Sequence, residues 1–136
     1  MEQQNNARIY IVDDDSLSAK VMSSLLSDSG HIVESNTDAA SAFDKILDAR
    51  PDWVICEMMM PEVDGLNLCK RIRETPDLAG IRFIMVSAKA YEFDQKRAFE
   101  FGADGYIRKP LNTETFASLV NRIFCLLYTS DAADEG

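Results

Sequence analysis

The 136-residue sequence predicts an α/β fold: one domain with a doubly wound, five-stranded parallel sheet. Short runs of β-branched and aromatic residues alternate with segments whose apolar residues have helical spacing, and no hairpin turn joins two runs. Right-handed crossovers would place helices on both faces of such a sheet. Polar residues directly follow several of the runs, at the edge where open parallel sheets bind ligands.

The first strand and helix are predicted at the start of the chain. The run Arg8–Val12 is β-branched and stops at the aspartates Asp13 to Asp15. Ser16 is a suitable N-cap for a helix over residues 17–29, and Gly30 suits the position that closes it. This helix is expected to bury a stripe at i, i+4 spacing, formed by Leu17, Val21, Met22, Leu25 and Leu26.

The second strand and helix follow. Residues 31–35 alternate in polarity and predict a strand that begins at His31, which we expect to be exposed and without a partner. Thr37 and Asp38 supply the cap of the next helix. That helix ends at Arg50, because the residue before a proline is disfavoured in the helical region. Its buried face is expected to comprise Ala39, Ala42, Phe43, Ile46 and Leu47.

The central strand is predicted over Trp53–Glu57, an apolar run that ends abruptly on a carboxylate. Pro61 breaks the strand, and Asp64 with Gly65 supplies the turn and cap signals for a third helix, Gly65–Glu74. A carboxylate at the end of a buried parallel strand lies where ligands bind in these folds. The remaining sequence can be interpreted as scaffold and partners for Glu57.

The last third of the chain predicts two strands and two helices. Residues 81–86 form the fourth strand, residues 92–101 a polar fourth helix, and residues 106–108 the fifth strand. The arginines Arg71 and Arg73 of the third helix are expected on a solvated face. The last helix has an apolar face of Phe116, Leu119, Val120 and Ile123.

The composition excludes several classes of function. A formal net charge of −9 argues against nucleic-acid binding and against attraction to anionic membranes. No apolar run is long enough to span a bilayer, and residues 1–7 form a polar N-terminus that we expect to be disordered, without the features of a signal peptide. The three cysteines are too few and too irregular for a disulfide framework or zinc site, which favours a cytoplasmic protein.

Five polar residues fall at the carboxyl ends of predicted strands: Asp13, Asp14, Glu57, Ser87 and Lys109. Carboxylates bind hard divalent cations such as Mg²⁺. A metal, a lysine and a hydroxyl can together surround the oxygens of a phosphoryl group. A carboxylate can also act as the nucleophile and form an acyl phosphate. The set therefore predicts carboxylate phosphorylation or phosphate binding.

Four motifs support one family. They are Ile9-Tyr10-Ile11-Val12-Asp13-Asp14-Asp15, the Met60-Pro61-x-x-Asp64-Gly65 turn, Val86-Ser87-Ala88, and Gly102-Ala103-Asp104-Gly105-Tyr106-Ile107-Arg108-Lys109-Pro110. Each motif alone is weak, but their order and separations are highly specific. Through them, residues 8–124 resemble the receiver domain of bacterial two-component response regulators. The resemblance implies a flavodoxin-like sheet flanked by five helices.

The resemblance also implies an acceptor and a metal site. Glu57 stands where the family carries its phospho-accepting aspartate. Asp13 and Asp14 match the acidic pair, of which Asp14 would bind Mg²⁺ directly. Glu57 and the carbonyl of Met59 would complete the protein ligands of the cation.

The remaining implied roles concern the phosphoryl group and its readout. Ser87 and Lys109 would hold the phosphoryl oxygens, and Tyr106 would move with Ser87 to report the state. The bond between Lys109 and Pro110 would be cis. The partner would be a sensor histidine kinase or a phosphotransfer protein, with a homodimer formed through the fourth helix, fifth strand and fifth helix.

Three functions remain open from the sequence. The first is a phosphorylated receiver, which is not an enzyme. The second is a degenerate receiver that acts as an interaction module, because the extra methylene of Glu57 displaces its carboxylate by roughly 1 Å, enough to cost about 10²-fold in a positioned reaction. The third is a haloacid-dehalogenase-type phosphatase, whose aspartate-x-aspartate motif resembles Asp13-Asp14-Asp15.

Residues 125–136 have a separate interpretation. They resemble the translation of a transposon-based sequencing adapter, so we expect them to lie outside the natural domain. Leu126 and Leu127 would nevertheless continue the apolar face of the last helix. The natural chain would then continue past Phe124 into an output domain.

Overall fold

The computed structural model describes residues 6–61, 63–88 and 92–135, with side chains as far as Cys125. Five strands and five helices alternate along this part of the chain. The strands are β1 (Arg8–Val12), β2 (Ile32–Asn36), β3 (Trp53–Glu57), β4 (Arg82–Ser87) and β5 (Gly105–Arg108). The helices are α1 (Ser16–Asp28), α2 (Ala42–Ala49), α3 (Gly65–Glu74), α4 (Glu92–Glu100) and α5 (Phe116–Glu135).

The strands form one sheet in the order β2-β1-β3-β4-β5, and all four pairings are parallel. The predicted doubly wound, five-stranded parallel sheet is therefore confirmed. The strand order reverses between β1 and β3, where Val12 lies opposite Cys56. In open parallel sheets the ligand crevice forms at this reversal, outside the carboxyl ends of the strands. Asp13 directly follows β1 and Glu57 ends β3, so both lie at this crevice.

Successive side chains of each strand point to opposite faces of the sheet, which divides the core into two layers. One layer packs under α2, α3 and α4 and includes Val12, Val54, Cys56, Phe83, Met85, Ile46, Ile72 and Ala98. The other packs under α1 and α5 and includes Ile11, Ile55, Ile84, Val86, Met22, Leu26, Val120 and Phe124. Both faces of the sheet are thus covered, which fixes the sheet as a rigid support for groups at its edge.

The start of α1 differs from the prediction. Asp15, not Ser16, is the N-cap, and its side chain accepts hydrogen bonds from the backbone N–H groups of Leu17 and Ser18. The helix therefore begins one residue early. Leu17 is 69% exposed, so the predicted apolar stripe is wrong at its first position. Met22 is fully buried, as predicted.

The prediction that His31 is exposed and without a partner is wrong. His31 is buried, its Nδ1 accepts the N–H of Ala7 at 2.9 Å, and its Nε2 lies 2.8 Å from Asn121 Oδ1. Because Nδ1 accepts, the proton of the neutral ring is on Nε2 and is donated to Asn121. Ala7, which the sequence assigned to the disordered N-terminus, is itself buried, whereas residues 1–5 lie outside the described residues.

Arg73 was also expected in solvent and is instead partly buried. Its guanidinium donates to the carbonyl oxygens of Gly102, Ala79 and Ile81 and to Asp104 Oδ2, which lies 2.9 Å from Nη2. These contacts join α3 to the turns before β4 and β5.

The backbone of α5 continues to Glu135 and so includes nearly all of segment 125–136. The interpretation of that segment as adapter-derived stays a prediction. Among the helices that the structure describes, none combines the length and apolar character needed to cross a membrane.

Candidate functional site

Glu57 is the last residue of β3, a strand in which every residue is buried. Its Oε1 lies 2.6 Å from Lys109 Nζ, and its Oε2 accepts the backbone N–H of Met59 at 3.1 Å. A buried carboxylate is costly unless it is paired and hydrogen-bonded. Both oxygens of Glu57 have such a partner.

Asp13 is the matching acid at the end of β1 and is completely buried. Its Oδ2 lies 2.9 Å from Lys109 Nζ, and its Oδ1 accepts the N–H of Asp15 at 3.0 Å. The ammonium of Lys109 therefore bridges the two acids across the crevice between β1 and β3.

Lys109 is positioned by the end of β5. Its N–H donates to the carbonyl oxygen of Ser87 at 2.9 Å, and its peptide bond to Pro110 is cis, as the resemblance implies. The side chain is only 19% exposed, so it lies along the sheet edge rather than in solvent.

Ser87 and Tyr106 form the second part of the site. Ser87 ends β4 and is 1% exposed, and a side-chain hydrogen bond joins it to the partly buried Tyr106 of β5. Burial raises the pKa of the Tyr106 phenol, the bond to Ser87 opposes this increase, and the negative charges of Asp94 and Glu57 add to it. The phenol is therefore neutral at physiological pH.

The fold, and the polar residues at the carboxyl ends of its strands, are consistent with the known family that the sequence matches. The model of the response regulator receiver domain matches residues 9–121. The chain is a response regulator receiver domain. The family and the flavodoxin-like fold predicted from the sequence are thus confirmed.

Individual relatives agree. The receiver is 30% identical over 130 residues to the response regulator MprA of Mycobacterium bovis, covering 96% of this chain and 56% of that protein. It is 32% identical over 117 residues to the gliding motility regulatory protein of Myxococcus xanthus, covering 85% and 15%. Its fold matches the chemotaxis protein CheY4 of Vibrio cholerae with a TM-score of 0.81 and 27% identity, covering 88% of this chain and 99% of that one. The receiver spans about half or less of these two curated relatives.

The structure brings together part of the predicted site. Asp13, Glu57 and Lys109 are in direct contact, whereas the side chain of Asp14 is exposed. Met59 contributes its N–H to Glu57, and its side chain is 54% exposed. Within the described residues, no three His, Cys, Asp or Glu side chains gather as a metal site.

Sequence reasoning missed two backbone donors of this receiver. The N–H groups of Asp15 and Met59 each bind the carboxylate two residues earlier. This i to i−2 contact is the Asx-type turn that acidic residues commonly form at strand ends, and the Glu57 contact is its longer counterpart. The sequence pattern that could have revealed these two donors is an acidic residue directly followed by turn-forming residues.

The bridging lysine makes stability depend on pH. Burial lowers the pKa of the Lys109 ammonium, but hydrogen bonds and charges from Glu57 and Asp13 outweigh it, so the pKa is raised above its ordinary 10.5. A pKa that is higher in the folded than in the unfolded state contributes stability that is complete below 10.5. That contribution is lost as pH rises through the folded value.

We therefore expect the free energy of unfolding to fall above pH 10.5 more steeply in the receiver than in a Lys109→Met variant. Urea titrations at a series of alkaline pH values measure this difference. Tyrosines titrate in the same range in both proteins, so only the difference between the two slopes reports Lys109. Parallel slopes would contradict the expectation.

Proposed function

We propose that this receiver acts in two-component signalling without efficient phosphorylation, because the carboxylate of Glu57 takes the place of the phosphoryl group. The supporting observation is the 2.6 Å contact between Glu57 Oε1 and Lys109 Nζ. In the family, the matching lysine holds a phosphoryl oxygen. Here it already binds an anionic oxygen of the side chain at the acceptor position.

A second contact supports the same proposal. Ser87 and Tyr106, the proposed switch pair, are already joined by a side-chain hydrogen bond. We infer that the receiver holds its signalling conformation without a phosphodonor. The phosphorylated receiver remains the alternative, and it requires Glu57 to form an acyl phosphate.

The donors at the edge suit Mg²⁺ in their chemistry, since hard cations prefer oxygen ligands. Asp13, Asp14, Glu57 and the carbonyl of Met59 would hold the ion. Bound there, it would neutralise negative charge beside the acceptor. Lys109 lies between two of these acids, so we expect its ammonium to compete with the cation and binding to be weak.

The test uses the receiver with acetyl phosphate and Mg²⁺. We expect no gain in intact mass and no change in the NMR signals of Ser87 and Tyr106. A Glu57→Gln variant, which removes the charge but keeps the shape, should shift both signals without any phosphodonor. Stoichiometric phosphorylation of the unaltered receiver, or identical spectra for Glu57→Gln, would contradict the proposal.

We propose a sensor histidine kinase or phosphotransfer protein as partner, in the cytoplasm, and a homodimer through α4, β5 and α5. Two exposed aromatic residues on α4, Phe93 and Phe99, support this dimer surface. Sedimentation of the receiver and a Phe93→Ser variant would test it, since only the unaltered chain should dimerise.

We propose that the receiver is not an enzyme. The phosphatase alternative needs the carboxylate of Asp15 in the site. That carboxylate instead caps α1 through Leu17 and Ser18. No contact of the described residues favours the phosphatase.

A further inference from the structure

Asp104, the residue directly before β5, binds the start of that strand to β4. Its N–H donates to the carbonyl oxygen of Phe83 at 2.7 Å, and its Oδ2 accepts the N–H of Phe83 at 2.8 Å. One residue therefore binds both backbone polar groups of its neighbour on β4. The next pair of the two strands is Ile84 with Gly105, so these two bonds define the register in which β5 begins.

Arg73, at the end of α3, holds the same carboxylate. Its Nη2 lies 2.9 Å from Asp104 Oδ2, and its Nε donates to the carbonyl oxygen of Gly102 at 2.9 Å. The side chains of Arg73 and Asp104 are only 23% and 20% exposed. Charge-assisted bonds are stronger than neutral ones, and this pair is partly shielded from water. Arg73 thus keeps Asp104 in the side-chain position that reaches Phe83.

The side chains of β5 specify its register only in part. The strand has four residues, lies at the edge of the sheet and buries two of them, Gly105 and Ile107. Register is weakly specified in strands that bury few side chains or contain glycine. The polar contacts of Asp104 therefore add specification that the apolar residues of β5 do not supply.

We propose that Asp104 is a positioning residue for Lys109, although the two lie at opposite ends of β5. They are five positions apart, which is roughly 17 Å of extended chain. Binding of Asp104 to Phe83 sets the point at which Lys109 leaves the strand, where its N–H meets the carbonyl oxygen of Ser87 at 2.9 Å. From there its Nζ reaches Glu57 at 2.6 Å. The proposal rests on the role proposed for this contact with Glu57.

A slip of β5 by one residue would break this arrangement. It would move Lys109 along the strand by roughly 3.3 Å. It would also turn the side chain toward the other face of the sheet. The contacts of 2.6 Å with Glu57 and 2.9 Å with Asp13 would then be lost. The register of β5 therefore decides whether Lys109 bridges the two acids.

The test compares Asp104→Ala with Asp77→Ala. Both remove an aspartate that binds an arginine, but the contact of Asp77 with Arg50 is exposed and links segments outside β5. The nitrogen NMR signal of the Lys109 ammonium is the readout, because its protons exchange slowly with water while two carboxylates bind them. We expect this signal to be lost in Asp104→Ala and kept in Asp77→Ala. A signal that Asp104→Ala retains, even with a lower urea midpoint, or that both variants lose, would overturn the proposal.

A second measurement covers the case in which Asp104→Ala does not fold. Coupling between two sites acts in both directions. Lys109→Met should therefore speed hydrogen exchange at the Phe83 N–H by about fivefold or more relative to the Ile32 N–H, which binds β1 near the other edge of the sheet. An unchanged ratio of the two rates would overturn the proposal. Neither measurement involves a phosphodonor, so phosphorylation at Glu57, which would refute the proposed function, would be detected separately.

Discussion

Replacing Glu57 by aspartate is expected to create Mg²⁺-dependent labelling by acetyl phosphate that the receiver with glutamate lacks. The shorter side chain withdraws the carboxylate by roughly 1 Å, and a displacement of that size changes a positioned reaction by about 10²-fold. The withdrawal also lengthens the 2.6 Å contact with Lys109 Nζ. The ammonium then becomes available to a phosphoryl oxygen.

Intact mass spectrometry with and without a chelator measures the labelling. Glu34→Asp is a matched control, because it makes the same change on an exposed residue of β2. We expect labelling in Glu57→Asp alone, and only with the metal. Equal labelling of the receiver with Glu57 would show that the glutamate accepts a phosphoryl group and that its carboxylate does not replace one.

The sheet was predictable because its signal is local. The strands β1, β3 and β4 are short, largely apolar runs bounded by turn residues, and β3 was placed correctly over Trp53–Glu57. The same argument brought Asp13 and Glu57 to one edge, since parallel strands end on the same side. Their contacts with Lys109, at 2.9 and 2.6 Å, agree with that argument.

The errors concern partners that are distant in sequence. His31 can be buried because Asn121, 90 positions later in the chain, accepts a hydrogen bond from its ring. Arg73 is held by Asp104, 31 positions away. A single sequence records the period of a helix but not which helix face meets which loop, so polar residues with remote partners look solvated.

The N-cap of α1 shows a different limit. Asp15 and Ser16 are both good N-cap residues, and the choice between them is worth only a fraction of a kcal/mol. Asp15 caps the helix, while its N–H binds Asp13. The tertiary contact of Asp13 with Lys109 therefore favours a helix that starts one residue earlier. Local helix propensity cannot predict this choice, because it takes no account of tertiary contacts.

Gly65→Ala is expected to destabilise the receiver by about 3 kcal/mol or more, through overpacking against backbone that cannot rotate away. A Cβ at this position would lie 2.5 Å from the carbonyl oxygen of Glu57 and 2.9 Å from Met58 Cα. The N–H of Gly65 also donates to the carbonyl oxygen of Met58 at 2.9 Å, so a shift of the backbone that relieves the clash would weaken this hydrogen bond. The same shift would displace Glu57.

Gly80→Ala is the matched control, since a Cβ there meets no atom within 4 Å and should change stability by less than about 1 kcal/mol. Trp53, the single tryptophan, is buried and stacked 3.9 Å from Phe124, so its fluorescence reports unfolding in urea. A loss of about 3 kcal/mol is a large share of the 5–15 kcal/mol typical of a domain. Equal urea midpoints for the two variants would contradict the close approach of α3 to the end of β3. The close packing of Gly65 against Glu57 and Met58 fixes the backbone at the end of β3, and so positions the Glu57 side chain for its contact with Lys109.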